Sequence, residues 1–227
     1  MNRLALCLVI LALPTPLLAQ AKKDFDLTAD IRKSANNLKQ IGIAFFGVDI
    51  DKGNLPMDIV SKDGKAILSW RVAILPYLEE ETLFKEFNLT EAWDSDQNKK
   101  LLAKMPKVYL APRGKAEAGF TFYQSFSGPG TMMSGKKLGV AQIADGSSNT
   151  FMVVEAGTAV PWTKPADLPF DAAKPLPALG GVFDGAFLAL FGDGTLRNMK
   201  KGVKEASIKK FITTAGNEEI LDGDFEP

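Results

Sequence analysis

The sequence predicts an α+β domain in which a long N-terminal helix lies on an antiparallel β-sheet. Two observations lead to this prediction. Apolar residues recur every three or four positions from Leu27 to Val48, which is the period of an amphipathic helix. From residue 107 onward, short segments rich in β-branched and aromatic residues alternate with turn-forming residues. Helices first and strands afterwards are typical of an α+β domain.

Residues 1–21, MNRLALCLVILALPTPLLAQA, have the pattern of a secretory signal peptide. A positive residue, Arg3, precedes an apolar stretch, and the segment ends in the small-x-small sequence that signal peptidase accepts. The stretch contains two prolines and is shorter than the roughly 20 residues that span a bilayer. We expect export to the periplasm or beyond, cleavage after Ala21 and no stable membrane span afterwards. A retained anchor is the alternative.

Residues 22–227 are long enough to bury the core of a single domain. Periodicity and turn residues divide this domain into an N-terminal helix over 22–52, a helical region over 66–105, a sheet with its loops over 107–200 and a C-terminal helix over 203–215. Pro76 is expected to kink or divide the helical region, because proline lacks the N–H that continues a helix.

The sheet region contains five predicted strands, which are VYLAP, FTFYQSF, FMVVEAG, GAFLALF and TLRNMK. Residues 161–177 carry five prolines and are expected to form an extended, ordered surface loop. Trp162 lies in this loop, which offers no obvious core of its own. Two interpretations of Trp162 stay open: the indole fills a gap against the sheet, or it contacts a ligand or a partner protein.

The composition removes several kinds of chemistry. The chain has no histidine, and its single cysteine, Cys7, lies in the predicted signal peptide. A structural zinc site and a Cys–His or Ser–His catalytic pair are therefore excluded from the mature chain. The 27 basic and 27 acidic residues give no excess of either sign, so nucleic acid is not an expected partner. A hydrolase that uses two carboxylates stays as an alternative.

Two Asp-Gly pairs, at Asp184 and Asp193, lie in the segment 178–199. GAFLALF-GDG-TLRNMK has the pattern of a β-hairpin, because glycine and aspartate tolerate the positive φ angles of tight turns. The alternative is a cation site built from Asp145, Asp184 and Asp193, for which calcium would be the suitable ion. No other cofactor is expected.

Asp145 begins a second motif, ADGSSNTFMVVEAG. A turn held by hydrogen bonds from side chains to the backbone is the favoured interpretation. The alternative is a pocket of carboxylate and amide groups that includes Glu155.

Five motifs, in their order along the chain, resemble those of a bacterial family that is abundant in planctomycetes. They are SANNLKQIGIAF, the segment from SWRVAILPYL to KVYLAP, ADGSSNTFMVVEAG, VPWTKPADLP and FGDGTLR. Members of that family are described as prepilin-like proteins of unknown function with an H-x9-DG motif near the C-terminus. The resemblance extends from about residue 34 to the end and implies a pseudopilin-like fold.

This chain departs from the family pattern in two places. Phe183 stands where the motif has its histidine, ten residues before Asp193, so a function that needs the histidine is not expected. An ordinary signal peptide stands where the apolar prepilin helix would be, which implies a soluble protein after export.

The sequence therefore predicts an exported, non-catalytic, pilin-like protein. Its expected role is that of an accessory or structural domain of the cell envelope or secretion apparatus, with protein partners there. The alternative is a secreted module that binds a small ligand or calcium.

Overall fold

The computed structural model describes the backbone of residues 15–227 and the side chains of residues 28–227. Most of the predicted signal peptide, Cys7 included, lies outside the described residues. Helix α1 spans Thr15–Lys52 and so begins before the predicted residue 22. None of the helices in the described part of the chain has the combination of length and apolar character that a membrane span requires.

The described chain contains helices, short strands and several 3-10 turns. After α1, the α-helices are α2 Trp70–Ala73, α3 Glu81–Glu86 and α4 Glu205–Lys209. The strands are β1 Ile59–Val60, β2 Ala66–Leu68, β3 Phe120–Gln124, β4 Phe126–Ser127, β5 Phe151–Pro161, β6 Leu168–Pro169, β7 Phe187–Phe191 and β8 Leu196–Met199. The 3-10 helices are Leu75–Leu78, Asn98–Lys104, Lys107–Tyr109, Val140–Gln142, Ser147–Asn149 and Asp222–Phe225.

Strands β3, β5, β7 and β8 form the main sheet, in the order β3-β5-β7-β8, and every neighbouring pair is antiparallel. Two smaller pairs accompany it: β1 with β2 in antiparallel orientation, and β4 with β6 in parallel orientation. A long helix followed by an antiparallel sheet confirms the predicted α+β class.

Helix α1 covers one face of the main sheet. Its apolar stripe, Leu38, Ile41, Phe45 and Val48, is buried, as the spacing of three and four residues predicts. Gly42 lets the helix approach β7 closely, since a Cβ there would lie 3.2 Å from a methyl group of Leu190. We call the surface of the sheet that α1 covers the helix face.

The opposite surface of the sheet is covered by a cluster of aromatic rings and by the C-terminal segment. We call it the phenylalanine face, after Phe126, Phe151, Phe187, Phe191 and Phe211. Strand β7 shows the division clearly, because its side chains alternate between the two faces, Leu188 and Leu190 on one and Phe187, Ala189 and Phe191 on the other. A sheet buried on both faces explains why GAFLALF is apolar throughout.

Two predicted elements differ from those observed in the central part of the chain. VYLAP is not a strand, since Lys107–Tyr109 is a 3-10 helix. The Tyr109 carbonyl accepts a hydrogen bond from the Thr121 hydroxyl at 2.8 Å, and the Tyr109 hydroxyl donates to the Arg71 carbonyl at 2.8 Å. The segment is held by these hydrogen bonds and not by pairing with a neighbouring strand.

The predicted helical region over 66–105 begins with strand β2 and continues as separate short helices. Pro76 lies in the first turn of a 3-10 helix, so the expected interruption is confirmed. The residue after that helix, Glu79, is its C-cap and has a left-handed φ of 62°, which turns the chain away. The predicted third helix is a 3-10 helix over Asn98–Lys104.

The predicted helix over 203–215 forms only as α4, which ends at Lys209. It stops because the chain turns into the core: the Phe211 carbonyl accepts a hydrogen bond from the Phe151 N–H at 2.7 Å. The proline-rich segment 161–177 is only partly a surface loop. Strand β6 lies in it, and Leu168 and Phe170 are buried against the phenylalanine face.

Candidate functional site

The Asp-Gly pair at Asp193 forms the turn between β7 and β8. One carboxylate oxygen of Asp193 accepts hydrogen bonds from the Thr195 backbone N–H at 2.9 Å and from its hydroxyl at 2.7 Å. Gly194 has a φ of 83°, which supplies the left-handed residue that the turn needs. The hairpin interpretation of this motif is confirmed.

The three candidate calcium ligands are not assembled into one site. Asp145 accepts hydrogen bonds from the backbone N–H groups of Gly216 and Asn217 at 2.7 and 2.8 Å, so it anchors the C-terminal segment. Asp184 has an exposed carboxylate 3.2 Å from the Lys201 ammonium. Within the described residues, no group of three or more acidic side chains is arranged to hold a metal ion. The structure therefore does not bring Asp145, Asp184 and Asp193 together, because each carboxylate is engaged by a different part of the chain.

Trp162, the candidate ligand or partner contact, lies in the core. The side chain is fully buried, and its indole N–H donates to the Leu102 carbonyl at 3.0 Å. The ring stacks on Tyr109 and meets the edge of Phe87, with centroid separations of 5.8 and 5.7 Å. Of the two interpretations of Trp162, the structure shows the one in which the indole fills a gap. Phe183, in the place of the motif histidine, is a half-buried residue at the edge of the same core.

A buried polar network joins α1 to the helix face of the sheet. The Glu155 carboxylate on β5 accepts a hydrogen bond from the Ser34 hydroxyl of α1 and another, at 2.8 Å, from the Leu188 N–H. The Ser34 and Tyr123 hydroxyls are 2.7 Å apart, and the Asn37 amide donates to the Tyr123 oxygen at 3.4 Å. The pocket interpretation joined Glu155 to the ADGSSNT segment, but its carboxylate is bonded to Ser34 and Leu188, and the Asn149 amide donates to the Asp145 carbonyl within its own turn.

The enclosure changes the acidity of Glu155. Burial raises the pKa of this carboxyl from 4.5 to about 7, although the hydrogen bonds from Leu188 and Ser34 act in the opposite direction. Burial also raises the pKa of the neighbouring Tyr123, which stays a neutral hydroxyl. Near neutral pH, Glu155 is therefore close to the midpoint between its neutral and ionised forms.

A buried ion pair lies beside this network. The Arg71 guanidinium is 2.8 Å from the Asp167 carboxylate, and both side chains are almost completely enclosed. Arg71 also donates to the Tyr123 carbonyl at 2.9 Å and to the Ser69 hydroxyl at 2.7 Å. The same Asp167 carboxylate accepts from the indole N–H of Trp70 at 3.0 Å. The pair therefore ties α2 to the sheet and to the proline-rich segment.

Next to the ion pair, Asp58 lines a surface cavity of about 300 Å³. One of its oxygens accepts a hydrogen bond from the Trp70 N–H at 2.8 Å. Burial raises the pKa of Asp58 from 3.8 to about 6, the nearby Asp167 charge adds to this increase, and the Trp70 hydrogen bond and Arg71 oppose it. The cavity is otherwise lined by Met57, Val60, Gly64, Ala66, Met133 and Gly135.

Most of the residues in these arrangements were not identified from the sequence. Asp58 lies in no motif that the sequence singles out, and Arg71 and Asp167 lie in two motifs that are separated by 96 positions. The sequence gives one weak indication that Arg71 is buried, since this charged residue lies inside the apolar run SWRVAIL. The motifs that carry the family resemblance contain Ser34, Arg71, Glu155 and Asp167. The side chains of these residues bond to one another inside the fold, as Ser34 with Glu155 and Arg71 with Asp167.

Comparison with known proteins gives one match. Residues 32–124 match a family model described as "Protein of unknown function (DUF1559)". That family is bacterial, and the match agrees at this level with the resemblance found in the sequence. The matched region contains Ser34, Asp58, Arg71 and Tyr123, and it ends before β5. No curated protein and no solved structure matches the chain.

Proposed function

We propose that the chain is an exported, non-catalytic, pilin-like protein that serves as an accessory or structural subunit of the cell envelope or secretion apparatus. The signal-peptide pattern of residues 1–21 supports export. The fold, a long helix lying on an antiparallel sheet, is the arrangement that the resemblance to prepilin-like proteins implies. The similarity to a family of unknown function is compatible with such a role.

The way the buried ionisable groups are used supports a non-catalytic role. Glu155 and Asp167 each accept hydrogen bonds from neighbouring elements and lie under α1 or α2. Among the residues that the structure describes, Asp58 is the only ionisable one that lines its cavity of about 300 Å³. Hydrolysis by paired carboxylates needs two such groups that face one substrate, one as acid and one as base or nucleophile. Here the second carboxylate, Asp167, is neutralised by Arg71.

The observation that carries the proposal of a protein partner is an exposed apolar strip on α1. The side chains of Ile43 and Ile50 are 67% and 85% exposed. Residues seven apart lie on the same side of a helix, so the two isoleucines point in one direction, away from the sheet that α1 covers. Burial of two such side chains against another protein would favour association by roughly 3–6 kcal/mol before the cost of ordering is subtracted.

Site-specific photo-cross-linking in the native cell tests this role. A benzophenone side chain at position 50 should give adducts with one or a few envelope proteins, because α1 meets its partner there. The matched control carries the same group at Lys174, an exposed position on the proline-rich segment, and should give no adduct. Equal adduct patterns from both positions, or none from position 50, would contradict the proposal.

A second candidate function, a secreted module that binds a small ligand, is favoured by the cavity at Asp58. Ligand sites are typically concave, mostly apolar and equipped with a few polar groups, often with shifted pKa values. The lining of this cavity has that composition.

A further inference from the structure

We propose that the cavity at Asp58 is a binding site for a small organic cation, a primary ammonium with a short apolar body. This inference does not depend on the proposed structural role; it rests on the second candidate function and names the class of ligand. It rests on the shape and lining of the cavity, on the hydrogen bonds of Asp58 and on the charges around it.

The lining divides into an apolar wall and one charged group. Met57, Val60, Ala66 and Met133 supply thioether and aliphatic surface, and Asp58 supplies the charge. Gly64 and Gly135 have φ angles of 82° and 76°, and a Cβ at either position would meet nothing within 4 Å, so the rim beside them is open. A cavity of about 300 Å³ is at the small end of the range for ligand sites, which suits a small ligand.

Asp58 retains unused capacity to accept hydrogen bonds. Its Oδ1 accepts from the Trp70 N–H, and within the described residues no donor contacts its Oδ2. This oxygen can accept hydrogen bonds from an ammonium group, which carries three N–H donors.

The charges around the cavity favour a cation. Arg71 is paired with Asp167, so these two charges offset one another and the negative charge of Asp58 remains. Lys52 and Lys137 line a neighbouring cavity that also reaches Asp58, but neither forms an ion pair with it. A positively charged ligand can pair with Asp58, the charged residue in the lining of this cavity.

The apolar wall gives the reason for an organic cation instead of a hydrated metal ion. Calcium and magnesium require six or more oxygen ligands, and this cavity supplies one carboxylate. An alkyl chain of a few carbons would instead lie against Met57 and Met133, where burial of each methylene contributes about 0.8 kcal/mol.

Methionine-methyl NMR tests the proposal with the complete mature chain. The protein, carrying 13C at its methionine methyl groups, is titrated with n-butylammonium chloride at about pH 8, where Asp58 is ionised because its pKa is about 6. We expect saturable shifts of the Met57 and Met133 signals and no shift of Met199, which is buried beneath the phenylalanine face. n-Butanol, which has the same apolar body without the charge, should give no saturable shift.

Two variants complete the experiment. Asp58→Asn should weaken n-butylammonium binding by about tenfold or more, since the ion pair is removed. Asp63→Asn, at an exposed carboxylate that is bonded to Ser61 at 2.5 Å, is the matched control and should bind like the wild type. If Asp58→Asn does not fold, the comparison of n-butylammonium with n-butanol on the wild type decides the question. Absence of saturable shifts, equal shifts with n-butanol or unchanged affinity in Asp58→Asn would overturn the proposal.

Discussion

The main sheet is buried on both sides, but the two sides use different chemistry. On the helix face, the contact with α1 and α2 encloses Glu155, Tyr123 and the Arg71–Asp167 ion pair. On the phenylalanine face, Phe151 lies at the centre of a cluster of rings, with Phe191 and Phe211 at centroid separations of 5.0 and 5.3 Å. Both faces exclude water.

The two faces therefore contribute differently: one mainly to the stability of the fold, the other mainly to the placement of α1. Burial of aromatic side chains is strongly favourable but has little directional preference. Buried hydrogen bonds and ion pairs contribute less net free energy, yet they are costly if misaligned, so they fix how an element is placed. The helix face therefore determines where α1 lies, and the phenylalanine face supplies stability that does not depend on pH. The following predictions test this comparison, from the largest expected effect to the smallest.

Arg71→Met should lower the free energy of unfolding by about 3–5 kcal/mol, because it leaves the Asp167 carboxylate buried without its partner. The measurement is urea-induced unfolding followed by circular dichroism. Arg113→Met is the matched control: Arg113 pairs with Asp30 at 2.6 Å, but both side chains are about one-third exposed. This control should cost less than about 1 kcal/mol. Equal losses of unfolding free energy in the two variants would show that the buried Arg71–Asp167 pair stabilises the fold no more than the partly exposed Arg113–Asp30 pair.

Phe151→Ala should also cost about 3–5 kcal/mol, through lost burial and the cavity left among the surrounding rings. This loss should be the same at about pH 5 and about pH 8, because the phenylalanine cluster contains no titrating group. Leu221→Ala, at a mostly exposed leucine, should change stability by less than about 0.5 kcal/mol. A loss for Phe151→Ala that varied with pH would mean that the two faces are not independent.

Glu155→Gln should stabilise the protein at about pH 8, by about 1–3 kcal/mol. The pKa of Glu155 is about 7 in the folded state and 4.5 as its ordinary value, so folding favours the protonated form. Its contribution to stability is fully present below pH 4.5 and is lost as the pH rises through 7. The wild type should therefore lose stability across this window, and the variant should lose less.

Asp58 titrates in part of the same window, since its pKa is raised from 3.8 to about 6. The comparison is therefore cleanest above pH 6, where Glu155 is the remaining group. Glu117→Gln, at an exposed position, is the control and should follow the wild type. Parallel curves for the wild type and Glu155→Gln would contradict the assignment of the pH dependence to the helix face.

Ser34→Ala should have the smallest effect of the four, about 1 kcal/mol, because it removes one hydrogen bond that Glu155 accepts. The cost should be greater at about pH 8 than at about pH 5, since hydrogen bonds to an ionised carboxylate are stronger. Ser61→Ala, at an exposed serine, is the matched control for both conditions. A cost that did not change with pH would indicate that Ser34 does not contact the titrating group.

Local patterns predicted the parts of this fold that depend on periodicity. The spacing of Leu38, Ile41 and Phe45 identified the buried side of α1, and the GDG sequence identified the β7–β8 turn. Both are decided within a few residues of the chain, by the helical period and by the φ angles of glycine.

The remaining features depend on contacts between distant parts of the chain. VYLAP has the composition of a strand, but its backbone is engaged by Thr121 and its tyrosine by Arg71. Trp162 appeared unsupported because Tyr109 and Phe87, which enclose it, are far away in the sequence. Nothing within a few residues of these positions could reveal such neighbours.

In the candidate site, too, local motifs were recognised from the sequence and contacts between distant residues were not. Glu155 was noted because it lies in a recognisable motif, although its partner Ser34 is 121 positions away. Asp58 and Met133, which line one cavity, are 75 positions apart and share no motif. The candidate calcium ligands are engaged separately, since a shared Asp-Gly sequence does not by itself bring carboxylates together.

The acidity of Glu155 tests most directly whether α1 encloses a polar group on the helix face. The carboxyl carbon of Glu155 can be followed by 13C NMR in the folded protein across a pH titration, with Glu155→Gln to assign its signal. Enclosure by α1 predicts a midpoint near pH 7. A midpoint near the ordinary value of 4.5 would show that water reaches the carboxylate, and it would contradict the docking of α1 through Ser34 and Glu155.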